Sequence, residues 1–500
     1  MNQINIVMLK MLLILLIAFS GFKQNSNSSQ KKFFINNQDD FNRYSGFFFP
    51  EGSSVLFAKG VTFSGQFILK GSGTVEEPNL LCAYDSVSGL KYTDWLDIKP
   101  KINGEGRVKA VILLDNGSNW EINNIEVTNN NGTTDNHGDI MGIHVVAKDN
   151  GIVENITVKN CYVHHVNGHV GGKNTGGIHV NVLGNKNKTR FNNLLIENNY
   201  VRYVGGVGIS NQSSWGNIST RDYFPWTNFT IRKNLVEQTG RNGIIVRYAK
   251  NPLVEYNTLA YNSRYDSGHS IFNFNTIDCI VQYNEAYGNT SDDPNEIDHG
   301  GFDADYNSTG TIIQYNYSHD NNWFCGIMRK GINANVIIRY NISKNEKIGL
   351  FLYGFPTSKG LKNVMINNNT FYSEKGNANK VFVQGGKIRI PIETTFINNI
   401  FYFEDEAIWG IEPDKSCFFS NNIFFNLSAK GVKAITEHPQ LVDPGKVKTN
   451  IDWSNRNKFL GYKPKFNSPA KNAGKALEIN NNKDFVGKKI EGIPSIGAIQ

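Results

Sequence analysis

The chain has 500 residues, 39% hydrophobic and 19% charged, with 51 Lys and Arg against 44 Asp and Glu and a net charge of +7. That length exceeds one ordinary globular core, so the chain either holds several domains or repeats. The composition excludes a charge-rich disordered chain, and 48 Gly with only 14 Pro exclude collagen-like and Pro-rich classes; the mild basic excess suits an anionic partner, and no basic block points to nucleic acid.

From the N-terminus, Lys10 is followed by the apolar run MLLILLIAFS, about ten residues and too short for a membrane span. Ala18 and Ser20 suit cleavage before Gly21. Residues 1–20 therefore read as a signal peptide and 21–32 as a flexible spacer, with the mature protein exported to the periplasm or beyond. Five cysteines (Cys82, Cys161, Cys279, Cys325, Cys417) are scattered, without a CxxC pair or metal-ligand spacing. They read as isolated buried thiols.

One phrase recurs further on: alternating apolar residues, then Asn, as in LLIENNYV, LVEYNTL and VIIRYNIS. The aligned asparagines are Asn199, Asn234, Asn257, Asn284, Asn316, Asn341, Asn369, Asn399 and Asn422, at intervals of 23 to 35 residues. Fixed strands with variable loops give such a spacing. Between them sit short Gly-led segments with period-2 alternation, from GIHVV (142–146) to GLFLY (349–353). Runs this short and alternating are strands. The pattern predicts a single-stranded right-handed parallel β-helix of about a dozen coils over residues 33–465, with a terminal coil and tail at 466–500. The asparagines should stack and bridge one coil's backbone to the next.

The stretch from GSSVLFAKGVTF to KPKINGEG (52–106) resembles the opening coils of exported bacterial β-helix enzymes that act on polysaccharides. NSPAKNAGKA and IPSIGAIQ (467–500) resemble the last coil and tail of the same group. Alginate lyases and chondroitinase B belong to it, as do several glycoside hydrolases. The resemblance implies fold and export but not the reaction, because one solenoid carries many chemistries.

Alternate residues of a strand point in and out. In the Gly-led segments the second and fourth residues are apolar and should face the core. The third row then reads His144, His179, Gly208, Ile245, Asp303, Met328 and Phe351. The fifth reads Val146, Asn181, Ser210, Arg247, Asp305, Lys330 and Tyr353. The segment GHSIFNFN (268–275) breaks the register. With rungs about 4.8 Å apart, Lys330 falls one coil and Arg247 two coils from Asp305, a cation–carboxylate–cation line on one exposed sheet. The bends beside it supply Glu296, Asp298 and His299, then Arg264, Tyr265 and His269, then His169 and Lys173, and Trp323. A surface ion-pair ladder of little energetic weight is the plainer alternative.

Two chemistries suit this cluster. The first is β-elimination at a uronic acid of an acidic or sulfated glycan, catalysed by a carbon–oxygen lyase. It requires a cation for the carboxylate, a base for the α proton and an acid for the leaving oxygen. Arg247 is the candidate cation, with Lys330 and His299 as candidate acid–base groups. His144, His179, Asn181, Arg264, Tyr265, His269, Trp323 and Tyr353 are candidate substrate contacts. Some lyases of the resembled group bind Ca²⁺ through carboxylates, and Asp298, Asp303 and Asp305 are hard donors of that kind. At an oligosaccharide end the same chemistry expels water, as a dehydratase does. The alternative is a glycoside hydrolase, which needs two carboxyl groups about 5–5.5 Å apart for retention or about 6.5–9.5 Å for inversion. Asp303 and Asp305 share a face about 6.5–7 Å apart, with Glu296 or Asp298 as a further partner. A third reading, a non-catalytic glycan-binding solenoid, predicts repeating polar or aromatic rungs instead of one mixed-charge cluster. The sequence favours the lyase, acting as a monomer on an acidic polysaccharide or oligosaccharide.

Overall fold

Segments of two to eight residues with one apolar face cannot bury that face alone, and stacking on neighbouring copies completes the core. A computed structural model describes residues 31–133, 138–291, 298–355, 360–377, 379–383, 389–478 and 483–500. In it these segments form three sheets of 15, 10 and 13 strands, and the strand ladders are parallel. Successive strands pass to different sheets and pair one coil on, so the chain winds as a parallel β-helix, as expected. The signal-peptide reading and Glu296 lie outside the described residues.

The inward rows build the core. In the 10-stranded sheet, Ile143, Ile178, Ile209, Ile244, Ile271, Phe302, Cys325 and Phe351 follow one another in register, and all are buried. The N-terminal end is closed by a short helix, Gln38–Tyr44, whose Asn37 side chain accepts the Asp40 N–H, the usual N-cap bond. It lays Phe41 against Phe57, Phe63 and Phe67. The five cysteines are free thiols, four of them buried.

The nine aligned asparagines form one unbroken column. From Asn199 to Asn399, each donates both its backbone N–H and its side-chain N–H to the Oδ1 of the next, at 2.9–3.1 Å. The residue before every one of them is left-handed, with φ between 50° and 57°. Four of these positions are Asn, four are Tyr and one is Lys233. Tyr256, Tyr283, Tyr315 and Tyr340 stack with centroids 5.1, 5.1 and 5.7 Å apart, which offsets the strain of a left-handed bulky residue.

The coils end earlier than the predicted 465. The last strand is Ile423–Leu427. A further turn adds only single parallel bridges from Ser420 to Val432 and from Ile423 to Ile435, and the residues after it lie along the outside of the 13-stranded sheet. There Leu441, Ile451, Phe459, Tyr462, Phe485 and Ile499 cover Tyr317, Ile342, Tyr372, Ile400 and Tyr402. The apolar residues of this tail serve an outer face of the solenoid, which is why they read as continuing it.

Candidate active site

In the strand Gly300–Ala304, Phe302 and Ala304 enter the core. Asp303 therefore points outward, and Asp305 does so just beyond the strand end. Asp303 shares its rung with Phe272 on one side and Gly326 on the other. Here the predicted register fails by two residues: Gly326 aligns with Asp303, not with Gly301. A Cβ on Gly326 would sit 2.7 Å from Asp303 Oδ1, so this glycine marks a carboxylate leaning over the backbone and not a strand start. Met328 consequently takes the place beside Asp305. Lys330 lies past the strand with its Nζ over the rings of Tyr306 and Phe355, at 5.1 and 5.2 Å. The same two-residue slip occurs at Gly208, which aligns with Gly177 through the pairing of Ile178 with Ile209.

Arg247 does stand two coils from Asp305, since it pairs with Phe274 and Asn273 pairs with Ala304. It is buried, however, and its guanidinium is committed to the protein. Nε donates to Asn211 O at 2.5 Å, and Nη2 donates to Lys173 O at 3.1 Å and Asn174 Oδ1 at 3.2 Å. Its Nε and Nη2 are therefore spent on protein acceptors and do not form the fork that would grip a substrate carboxylate. Burial brings this guanidinium down to about 10.

What Arg247 does is fix the 167–175 bend across the sheet, so that Lys173 Nζ lies 4.8 Å over the Phe272 ring. Lys173, Arg241, Ser267, His269, Phe272, Asp298, Asp303 and Asp305 together line one small cleft. His269 Nε2 is 3.1 Å from Asp303 Oδ2, with both side chains almost wholly buried. Burial alone would lower His269, but the charge and hydrogen bond of Asp303 raise it. Burial raises Asp303, and its pairing with His269 opposes this. Asp305 is held well above the usual carboxylate range by burial and then by the Asp303 charge, against the pull of the Tyr306 N–H, which donates to its Oδ1 at 2.8 Å. Lys173 is lowered by burial and by Arg241, with Asp305 acting the other way. The cleft thus holds a hydrogen-bonded His269–Asp303 pair beside a carboxyl group whose proton affinity burial and the Asp303 charge raise. Asp298 lies at its less buried edge.

The other predicted residues are dispersed. Trp323 is fully buried, packed on the glycine Gly300 and 5.0 Å from the His269 ring, so it seats the histidine and is closed to substrate. Tyr353 points inward and bonds Thr394 Oγ1 at 2.8 Å; its rung partner Ile327 is likewise core. His144 and His179 do face outward, but they form a buried pair with rings 5.6 Å apart and His179 Nδ1 2.8 Å from Ser210 Oγ. Burial depresses His144 to about 4, so it stays neutral. Asn181 pairs with Val146 and Gln212, two coils before Arg247 and outside the cleft. His299 is buried next to His269, and burial followed by that neighbour lowers it to about 4, which excludes a charged role near neutral pH. Arg264 and Tyr265 share the His269 loop but line a separate groove. Among the described residues, no three His, Cys, Asp or Glu side chains gather as a metal site requires. Arg241 escaped the sequence reading because it lies in a turn before a strand; it reaches the cleft through an ion pair to Asp266 at 3.1 Å.

No family model matches the chain. It is 25% identical over 554 residues to a lacto-N-biosidase of Bifidobacterium longum, a match that covers 90% of this chain. The chain spans about a third of that protein, 34% of its length. The selenomethionine crystal structure of a GH136 lacto-N-biosidase from Eubacterium ramulus superposes with a TM-score of 0.60 at 21% identity, over 78% of this chain and 67% of that one. Its native form gives 0.57 at 22% identity, over 69% and 64%. The two structural likenesses support the parallel β-helix fold. They also overturn the lyase expectation: the relatives carry a glycosidase name, and the arginine that elimination required is committed elsewhere.

Proposed function

We propose that this protein is a glycoside hydrolase of the lacto-N-biosidase kind, cutting a glycosidic bond in an oligosaccharide with Asp305 and Asp298 as its two carboxyl groups. The observation that carries this reading is the convergence of Asp298, Asp303 and Asp305 in one cleft, with the proton affinity of Asp305 raised by burial and then by Asp303. Such unequal environments sort two carboxyl groups into an acid and a partner. Asp305 gives its proton to the leaving glycosidic oxygen. Asp298, at the open edge, attacks the anomeric carbon or takes the proton from the attacking water. Asp303 is held by His269, and its charge raises the proton affinity of Asp305. Lys173 and Arg241 offer hydrogen-bond donors to sugar hydroxyls. The apolar run at residues 11–20 supports export to where glycans are met.

The test is hydrolysis of an aryl lacto-N-bioside by wild type, Asp305→Asn and Asp298→Asn, with and without azide. Loss of at least about 100-fold in both variants, the scale of a positioned acid–base group, supports the pair. A glycosyl azide with the product's own anomeric configuration assigns the rescued residue as acid–base, and the opposite anomer assigns it as nucleophile. Unimpaired turnover in both variants overturns the assignment.

A further inference from the structure

On the far flank of the loop that carries His269 lies a second hollow. The loop is pinned by backbone bonds from Arg264 N to Thr239 O and from Tyr265 N and Asp266 N to Gly240 O, each at 3.0 Å. Its inner side gives Ser267 and His269 to the cleft, and its outer side gives Arg264 and Tyr265 to the hollow. Arg264 is sandwiched between two rings, its guanidinium carbon 4.9 Å from the Tyr265 centroid and 5.7 Å from that of Tyr203. Tyr265 is 50% exposed, a large side chain left facing water on a loop whose backbone is fixed. Asn130, Asn167 and Gln238 add amides to the wall. Asn167 is only 6% exposed, and its amide nitrogen donates to Asn131 Oδ1 and Thr133 O. Its Oδ1 is buried with no hydrogen-bond partner. A buried acceptor left unbonded costs stability unless something donates to it.

We propose that this hollow is a sugar-binding subsite, taking a neutral pyranose of the glycan beyond the residue being cut; the inference rests on the hydrolase reading. The exposed ring of Tyr265 offers an apolar face to the C–H face of the sugar. One hydroxyl donates to Asn167 Oδ1, and others accept from Arg264 and Gln238. Among the described residues the lining contains no carboxylate, and the Arg264 guanidinium is already shared by two rings, so the surface suits uncharged hydroxyls. Because the loop is held by its backbone, the platform is formed before the sugar arrives, and little ordering cost opposes binding. The short span from Tyr265 to His269 places this sugar as part of the same chain that enters the cleft.

The experiment is calorimetric titration of the Asp305→Asn protein with lacto-N-biose and with a neutral tetrasaccharide ending in it, repeated after adding Tyr265→Ala or Arg264→Met. Both added changes lie on exposed side chains, and a thermal melt checks that the fold persists. The tetrasaccharide should bind more tightly than the disaccharide, and Tyr265→Ala should remove about five- to tenfold of that difference, the size of one aromatic contact. A length preference unchanged by both variants, or no length preference at all, overturns the subsite. Turnover by wild type is scored separately. A protein that hydrolyses the aryl substrate but shows no Tyr265-dependent length preference refutes the subsite alone, and one that binds by length but never hydrolyses refutes the hydrolase alone.

Discussion

The guanidinium of Arg247 donates to the backbone carbonyl of Lys173, 74 positions earlier in the chain, at 3.1 Å. This bond ties a bend of one coil to a strand two coils further on and carries the Lys173 ammonium across Phe272 toward Asp303 and Asp305. Arg247 therefore acts on the cleft through Lys173.

Replacing Arg247 by Met should lower both stability and turnover. The change orphans the carbonyls of Asn211 and Lys173, at about 1–3 kcal/mol for each buried group left unsatisfied. It also frees the bend that sets Lys173. Arg247→Lys should recover little, because one ammonium cannot reproduce the planar fork that meets three acceptors. Thermal melting and kcat measured on both variants test this. A variant with wild-type turnover and a lowered melting point would confine Arg247 to a structural role.

Asp305 sets a pH dependence with a definite sign. Its folded-state proton affinity is raised, so the native state holds a proton that the unfolded chain has released above about pH 4. Stability then falls as pH rises from there through the raised value. His269 is also raised, and its contribution is likewise lost as pH climbs through its folded value. Asp305→Asn removes the first of these terms. The variant should be inactive yet melt higher than wild type at pH 7, with the difference shrinking toward pH 4. A variant that melts lower than wild type at pH 7 contradicts the raised proton affinity of Asp305.

The asparagine column makes a prediction about the scaffold. Asn316 accepts two bonds from Asn284 and donates to Asn341 Oδ1 and Val281 O. Asn316→Ala leaves the Asn284 N–H and the Val281 carbonyl buried and unpaired, at about 1–3 kcal/mol each. Asn316→Asp keeps the acceptor but loses the amide donor, and it buries a charge. Both should lower the denaturation midpoint in urea with little change of slope, the aspartate more than the alanine at neutral pH.

Much of this scaffold is legible in the sequence. The repeated Asn fixes the coil, since a buried acceptor is needed at every bend, and period-2 alternation fixes which residues enter the core. The cleft is less legible. Glycine reads as a strand start at Gly142 and Gly177, where it precedes an inward residue. At Gly326 it is glycine because Asp303 occupies the space above it. That second cause shifted the register by two and set Lys330 where Met328 stands. The outward position of Arg247 was readable, but its burial was not, because the bend that covers it comes from two coils earlier. Asp298, Asp303 and Asp305 were visible as a carboxylate cluster. Their division of labour depends on His269, whose segment broke the pattern.

Gly326 supplies the sharpest test of the cleft. Its φ is not in the left-handed range, so alanine there strains no backbone torsion. The new methyl would meet Asp303 Oδ1 at 2.7 Å and Cγ at 3.0 Å, closer than a Cβ tolerates, and the neighbour able to move is the carboxylate. Displacing it breaks the 3.1 Å contact with His269 Nε2 and moves the negative charge that helps raise the proton affinity of Asp305. Gly326→Ala should then fold and bind glycan but lose on the order of 100-fold in kcat, the cost of about 1 Å of misplacement in a catalytic array. Its signature is spectroscopic: the His269 imidazole resonance should titrate at lower pH than in wild type, because the charge that raised it has withdrawn. An unchanged His269 titration together with wild-type kcat would mean that Asp303 tolerates the methyl and that its contact with His269 does not govern the cleft.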